Sequence, residues 1–248
     1  SFLRSYGSVL CHDQAHINKD EGGAPEFFSC GGKLIPITND LGRMSAKELS
    51  EKIDEINFKD KQNNICGVSI THLAENGTAY SPREIKEISK VCKNNNLLLH
   101  MDGARFSNAL AYQKSLSPAD ITWKVGVDCL SLGATKNGAM AAEVIIFFNK
   151  ELAIEAKKLI KQTGHVLSKT RFISAQLNAW FRNNLWISLA NKANFMASYL
   201  SRELCTFNEF KLFYPTQANE VFLEVSKETY QEMLKLNIIS NLWSRIGH

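Results

Sequence analysis

The sequence predicts an α/β fold in which a mostly parallel β-sheet is covered by helices. Short runs of apolar residues recur along the first part of the chain, and segments with apolar residues spaced three and four apart alternate with them. The runs are apolar throughout, which is typical of strands buried on both faces of a parallel sheet. Helix-start signals separate the runs: Ser45 and Glu48 form a capping box, and Ser81 precedes Pro82.

Taken in chain order, the elements of this first part alternate. The predicted strands are residues 9–11, 32–37, 65–71, 96–101, 127–132 and 143–148. Between them we expect a polar loop at 12–16, a short helix around Pro25, and helices at 45–57, at 82–94, through Ala111, and from Ser117 to near Gly126. Pro36 indicates that the second strand lies at a sheet edge or ends there, because proline cannot donate to a ladder.

The chain changes character after Lys150, where helical spacing dominates. The pattern predicts helices at 152–162, 169–181, 185–204 and 227–236, with two strands at 210–213 and 221–225. This tail reads as the start of a smaller α+β domain. The sequence therefore predicts a large domain at 1–182 and part of a small C-terminal domain at 183–248.

Composition excludes several classes of protein. The chain is 44% hydrophobic and 22% charged, as in an ordinary globular protein. Its net charge of +4 comes without a long basic run, so nucleic-acid binding gets no support, and no apolar run is long enough to cross a membrane. None of the six cysteines falls in a Cys-x-x-Cys pair, which favours reduced thiols in a cytoplasmic protein. The histidines show no metal-ligand spacing, and we expect no metal.

Two predicted strand ends carry chemistry. Asp102 and Gly103 close the fourth strand, and Thr135 and Lys136 follow the fifth. Ligands in open α/β sheets bind beyond the carboxyl ends of strands. A lysine and a carboxylate at adjacent strand ends are what pyridoxal phosphate (PLP) requires: the lysine forms a Schiff base, and the carboxylate keeps the pyridinium nitrogen protonated. A strand-terminal aspartate also often caps the next helix, so Asp102 taken by itself could be a helix cap without a role at a cofactor.

Four stretches of the sequence carry a resemblance to a known family. They are HMDGARFSNAL at 100–110, DCLSLGATKNGAMAAEVIIFF at 128–148, CHDQAHINKDEGGAPEFFSCGGKL at 11–34 and GHVLSKTRFISAQL at 164–177. Together they resemble the low-specificity L-threonine aldolases, which are PLP enzymes of fold type I in the aspartate-aminotransferase superfamily. The stretches cover most of the chain, and the combination of Asp102 with the Ala-Thr-Lys-Asn-Gly motif is specific.

The resemblance implies an activity and its setting. It implies a carbon-carbon lyase that uses PLP to cleave L-threonine or L-allo-threonine to glycine and acetaldehyde, acting as a homodimer or homotetramer on a small amino-acid substrate. It also implies a segment ahead of Ser1 with a loop for the cofactor phosphate, and a carboxylate-binding arginine beyond His248. The sequence thus reads as part of a longer chain.

The resemblance assigns roles to residues of this chain. Lys136 carries the Schiff base, Asp102 pairs with the ring nitrogen, and Thr135 gives its hydroxyl to the cofactor phosphate. Arg105 faces the cofactor and substrate, where its guanidinium pairs with a carboxylate. Lys136 could instead be a solvated loop lysine, Thr135 could carry a simple turn hydroxyl, and Arg105 could form a surface salt bridge.

Histidines and a glutamate complete the set of expected site residues. The resemblance implies that His16 stacks on the cofactor ring and acts as a base at the substrate hydroxyl, with Glu21 orienting its loop. His12 is the competing histidine. Where many threonine aldolases carry a second histidine, this sequence has Glu75, with His72 nearby; both stay candidates. Lys169 and Arg171 are either anion contacts or helix-surface charges.

Two other functions remain open at this point. A phenylserine-type aldolase, or another fold-type-I lyase acting on a β-hydroxy amino acid, would share Lys136 and Asp102. A chain without its phosphate loop and C-terminal arginine could instead be a non-catalytic PLP-binding or structural remnant. The substrate preference and the full-length sequence separate these alternatives.

Overall fold

A computed structural model of the chain describes residues 3–39, 41–59 and 64–243, and shows one six-stranded sheet with helices around it. Its strands are β1 Gly7–His12, β2 Lys33–Ile37, β3 Asn64–Thr71, β4 Leu98–Gly103, β5 Cys129–Gly133 and β6 Glu143–Phe147. They lie in the order β2-β1-β3-β4-β5-β6. All neighbours are parallel except β5 and β6, which are antiparallel. The predicted mostly parallel, mixed α/β sheet is confirmed, and Pro36 lies in an edge strand as expected.

The helices follow the predicted alternation closely. They are α1 His16–Lys19, α2 Ala24–Phe28, α3 Ala46–Lys59, α4 Pro82–Asn94, α5 Phe106–Tyr112, α6 Lys150–Gln162, α7 Thr170–Phe181, α8 Leu185–Leu204 and α9 Lys227–Lys235. The two capping signals act as predicted. Glu48 N donates to Ser45 Oγ and Ser45 N donates to Glu48 Oε2, and the same reciprocal pair joins Ser81 and Glu84.

Three local predictions were wrong in detail. The expected loop at 12–16 ends in α1, whose four residues begin at His16. The expected helix from Ser117 to Gly126 is two short 3-10 turns, because Thr122 between them has the non-helical angles φ −130° and ψ −108°. The strands expected at 210–213 and 221–225 are shorter, pairing only as β7 Lys211–Leu212 and β8 Leu223–Glu224.

The main core lies on one face of the sheet. Alternation along β4 turns Leu99 and Met101 into this core, whereas His100 and Asp102 point to the other face. The helices contribute buried aliphatic side chains such as Ile53 of α3 and Ile85 and Ile88 of α4. None of the helices in the three described stretches is both long and apolar enough to cross a membrane.

Tyr80 ties the chain before α4 to the chain before α3. Its side chain is 2% exposed, and its hydroxyl accepts a hydrogen bond from Met44 N at 2.9 Å. Met44 is itself 1% exposed, so its backbone amide is shielded from solvent. A single hydroxyl thus satisfies a buried backbone donor.

We expect Tyr80→Phe to lower the free energy of unfolding by about 1–3 kcal/mol, because the Met44 amide is left unpaired in the core. Urea unfolding measures this change. Tyr112→Phe is the matched control, since Tyr112 is 44% exposed; it should change stability by less than about 0.5 kcal/mol. Equal stability of the two variants would contradict this account.

Candidate active site

A cavity of about 320 Å³ opens at the carboxyl ends of β3, β4 and β5. The register explains its position, since Thr71 pairs with Asp102 and Asp102 pairs with Ser131 across neighbouring strands. The residues that line it are His16, Glu21, Thr71, Leu73, Glu75, Asp102, Ala104, Arg105, Gly133, Thr135, Lys136 and Glu143. The cavity therefore brings together Lys136, Asp102, Thr135, Arg105, His16 and Glu75, whereas the other candidates lie outside it.

Asp102 ends β4 with one carboxylate oxygen engaged. Its Oδ1 accepts a hydrogen bond from Ala104 N at 3.0 Å, which fixes the turn into α5. Among the described residues no donor hydrogen-bonds to Oδ2, so this oxygen is available to a ligand. Gly103 is required beside it, because a Cβ there would lie 2.6 Å from Leu130 Cδ1 and 2.9 Å from Ser131 O.

Lys136 stands on a rigid turn. The 3-10 turn Thr135–Asn137 follows β5, and Asn137 anchors it: Asn137 Nδ2 donates to Trp186 O at 2.8 Å, and Asn137 O accepts from Trp180 Nε1 at 3.0 Å. Both tryptophans are buried. The packing of α7 and α8 thus fixes the backbone that presents the lysine to the cavity.

Thr135 has a local partner as well as access to the cavity. Its Oγ1 accepts a hydrogen bond from Ala142 N at 3.3 Å, and its own amide lies 3.4 Å from Glu143 Oε1. These contacts close the loop between β5 and β6. The hydroxyl proton of Thr135 remains available to an acceptor in the cavity.

His16, and not His12, faces the cavity. His16 Nδ1 lies 2.8 Å from Glu21 Oε1, an interaction that sets the direction of the ring. Glu75 Oε1 accepts a hydrogen bond from His16 N at 3.2 Å. Burial, together with the charge of Asp102, raises the pKa of Glu75 against the opposing effect of His16. His12 is buried beside Asn39, with its Nε2 3.2 Å from Asn39 Oδ1.

His72, the other candidate near Glu75, lies in the core. It has no exposed surface, and its Nδ1 accepts a hydrogen bond from Tyr80 N at 3.3 Å. Burial lowers the pKa of His72 to about 3, with a smaller contribution from Arg43. The imidazole is therefore neutral near pH 7, and it does not line the cavity. Lys169 and Arg171 are exposed and also lie outside it.

His100 links the three central strands behind the cavity. It lies two residues before Asp102, on the same face of β4. Its Nδ1 is 2.8 Å from Ser69 Oγ on β3, and its Nε2 is 3.0 Å from Ser131 Oγ on β5. Burial lowers the pKa of His100, so the neutral ring donates to one serine and accepts from the other.

Sequence reasoning missed several residues at the site. Thr71 and Glu143 are the last and first residues of strands that were predicted, so their places at the strand ends carried a usable signal. No sequence signal marked Glu220 as a site residue. Its Oε1 lies 2.7 Å from Arg105 Nη2, and burial raises the pKa of this carboxyl group while Arg105 opposes that change.

The residues present fit PLP. A lysine, a carboxylate with a free oxygen, a hydroxyl and an imidazole surround a cavity whose size falls in the range of about 300–1,000 Å³ usual for small-ligand sites. Gly133 leaves room at the wall, because a Cβ there would come within 2.9 Å of Ala104 Cα. Lys136, Asp102, Thr135 and His16 are the residues that would hold the cofactor.

The fold and the strand-end cavity define an α/β protein with a site for an electrophilic cofactor. The chain belongs to the beta-eliminating lyase family, whose model matches residues 1–228. It is 40% identical over 236 residues to a low specificity L-threonine aldolase from Pseudomonas sp. (strain NCIMB 10558), and the match covers 94% of this chain and 67% of that protein. The aldolase of the same description from Pseudomonas aeruginosa matches to the same extent.

Solved structures of proteins described as threonine aldolases also resemble this chain. The threonine aldolase of Leishmania major is 29% identical, with a TM-score of 0.85, over 94% of this chain and 67% of that chain. A putative L-allo-threonine aldolase from Listeria monocytogenes is 18% identical, with a TM-score of 0.66, over 86% of this chain and 56% of that chain. At that identity the second comparison supports the fold alone.

The buried His72 makes stability depend on pH. Its folded pKa of about 3 lies below the ordinary value of about 6.5, so the unfolded chain binds a proton first as the pH falls. We expect stability to fall from about pH 6.5 downward, by about 2 kcal/mol at pH 5 from this group. His72→Gln should flatten the curve of unfolding free energy against pH by that amount. Parallel curves for wild type and variant would refute the assignment.

Proposed function

We propose that this protein is a PLP-dependent aldolase that cleaves L-threonine and L-allo-threonine to glycine and acetaldehyde. The observation that carries the proposal is the meeting of Lys136 and Asp102 at one cavity, at the ends of the adjacent parallel strands β4 and β5. The identity with two low specificity L-threonine aldolases supports the same activity.

Lys136 and Asp102 divide the central chemistry between them. PLP, when bound to Lys136, supplies a protonated ring that accepts the electrons released as the Cα–Cβ bond breaks. Asp102 Oδ2 would hold the proton on the ring nitrogen, since a carboxylate beside a cationic nitrogen favours its protonated form. Lys136 would hold the cofactor through its amine, and the free amine would move protons at the substrate Cα.

His16 moves the proton of the substrate β-hydroxyl in this proposal. Glu21 engages His16 Nδ1 at 2.8 Å, which leaves Nε2 as the nitrogen available to the substrate. Glu75 also fixes the backbone of His16, since its Oε1 accepts a hydrogen bond from His16 N. The raised pKa of Glu75 makes it a group that holds its proton to higher pH than an ordinary glutamate.

Arg105 binds the α-carboxylate of the substrate. Arg105 lines the cavity with a side chain that is 24% exposed, and its Nη2 lies 2.7 Å from Glu220 Oε1. The remaining N–H groups form a planar fork that suits a carboxylate. Arg105 is thus the cation that positions the amino acid beside Lys136.

We further propose a homodimer or homotetramer in the cytoplasm. Large apolar side chains are exposed, among them Phe27, Phe28, Ile145, Ile154 and Phe172. A groove of about 640 Å³ lies on the same face of the sheet as His100, and apolar residues of several strands and helices line it, among them Val9, Leu34, Ile145 and Leu159. Exposed apolar surface of this kind favours association. The six cysteines are free thiols, in keeping with a reducing compartment.

The division into a large domain at 1–182 and a smaller one from 183 is part of the proposal. It is supported by a break between α7 and α8, where Asn183 and Asn184 have φ values of 53° and 55°. Contacts cross this break, since Asn194 Nδ2 of α8 donates to Asn108 O of α5 at 2.9 Å. The C-terminal part thus packs on the helix that follows Asp102.

The Schiff base is tested at Lys136 itself. We expect the PLP-loaded wild type to show visible absorbance, and borohydride reduction followed by peptide mass mapping to fix the cofactor on Lys136. Lys136→Ala should lose that absorbance and at least about a thousandfold in kcat/KM. Lys169→Ala, at an exposed lysine outside the cavity, is the control and should match wild type. Reduction onto another lysine would overturn the assignment.

The substrate class is tested by comparing kcat/KM for L-threonine, L-allo-threonine, phenylserine and serine. We expect the two threonine epimers to be cleaved, because His16 and Arg105 contact groups that both epimers share. Phenylserine as the clearly preferred substrate would favour the phenylserine-type aldolase. No turnover of any of the four by a PLP-loaded protein would favour a non-catalytic role.

A further inference from the structure

Glu220 is a largely buried carboxylate at the edge of the site. Its side chain is 17% exposed, its Oε1 lies 2.7 Å from Arg105 Nη2, and it does not line the cavity. Its Oε2 is buried and has no hydrogen-bond partner among the described residues. Removing an ion pair from water costs desolvation energy. A carboxylate held in such a place, beside an arginine proposed to bind substrate, therefore suggests a function.

The chain around Glu220 is fixed to the site by several contacts. Gln217 Oε1 accepts a hydrogen bond from Ala79 N at 2.7 Å, and Ala218 packs in a small buried cluster with Leu73 and Ala79. Gly77 allows the close approach, because a Cβ there would lie 3.2 Å from Glu220 Cβ. Glu220 is therefore held in place independently of Arg105.

Arg105 depends on this contact. It precedes α5 at the edge of the cavity, and Glu220 is its one ion-pair partner in the part of the chain that the structure describes. Without Glu220 the long arginine side chain would be free to take several rotamers, at an entropic cost to any ligand that it binds.

We propose that Glu220 is a positioning residue that holds the Arg105 guanidinium through Nη2, so that its remaining N–H groups face the α-carboxylate of the amino-acid substrate. This inference rests on the proposed aldolase function. It makes a residue of the C-terminal part responsible for the geometry of carboxylate binding in the large domain.

The opposite role would be competition, with Glu220 occupying Arg105 until the substrate displaces it. The geometry favours positioning. The ion pair joins Glu220 Oε1 to one nitrogen of the guanidinium, Nη2, and Glu220 is not among the residues that line the cavity. A carboxylate in that position leaves the cavity side of the fork unblocked.

Two substitutions separate orientation from charge. Glu220→Gln removes the charge but keeps an oxygen of similar position beside Arg105 Nη2, whereas Glu220→Ala removes both. We expect Glu220→Ala to raise KM for L-threonine about tenfold, because the ion pair that holds Arg105 is lost, with kcat within about threefold of wild type. Glu220→Gln should restore KM to within about threefold of wild type. Glu209→Ala, at an exposed glutamate of the same C-terminal part, is the control.

A second readout needs no turnover. In arginine-¹⁵N-labelled protein, the Arg105 Nε–H signal, assigned by its loss in Arg105→Lys, should be sharp and dispersed in wild type and in Glu220→Gln. In Glu220→Ala it should move to the averaged position of mobile arginines. A merely structural role of Glu220 in folding would shift many signals and would not be rescued by glutamine.

The outcomes are distinct. A lower KM in both variants would overturn the proposal and show that Glu220 competes with the substrate. Unchanged KM and an unchanged Arg105 signal in Glu220→Ala would overturn it as well. If PLP-loaded wild type cleaves no β-hydroxy amino acid, the aldolase assignment fails, and the Arg105 signal still decides whether Glu220 positions this guanidinium.

Discussion

Parallel pairing of β3, β4 and β5 is the constraint on which the site depends. It brings Thr71, Asp102 and the turn after Gly133 to one edge of the sheet, because parallel strands all end at the same edge. Bonds from His100 to Ser69 and Ser131 join the same strands just behind that edge. The separation of Asp102 from Lys136 is thus set by strand spacing, and short turns fix the direction of each side chain.

The site also carries more acids than bases. Glu21, Glu75, Asp102 and Glu143 line the cavity against Arg105 and Lys136. The glutamates have different local partners, since Glu21 engages an imidazole, Glu75 accepts from a backbone amide, and Glu143 approaches the amide of Thr135. An amino acid brings both an ammonium and a carboxylate, and the two kinds of charge in the cavity match it.

The features that sequence reasoning predicted correctly are those that depend on residues close together in the chain. Apolar runs predicted the strands, caps such as Ser81 predicted helix starts, and strand-end motifs predicted Asp102 and Lys136. The helix expected after Ser117 was wrong because Thr122 leaves helical geometry, which apolar spacing does not reveal. Glu220 could not be predicted, since its approach to Arg105 depends on packing between distant segments. The choice of Glu75 over His72 at the cavity likewise required the burial of each side chain.

The pairing of Arg105 with Glu220 bears on the order in which the site is assembled. Asp102 and Lys136 lie on neighbouring strands joined by a modest stretch of chain, so they can approach as soon as β4 and β5 pair. Glu220 reaches Arg105 only after α6, α7 and α8 have been made and packed, and contacts that close long loops form late. During synthesis, the strand ends that carry Asp102 and Lys136 can therefore pair first, the packing of α7 and α8 then fixes the turn of Lys136, and the contact between Glu220 and Arg105 follows.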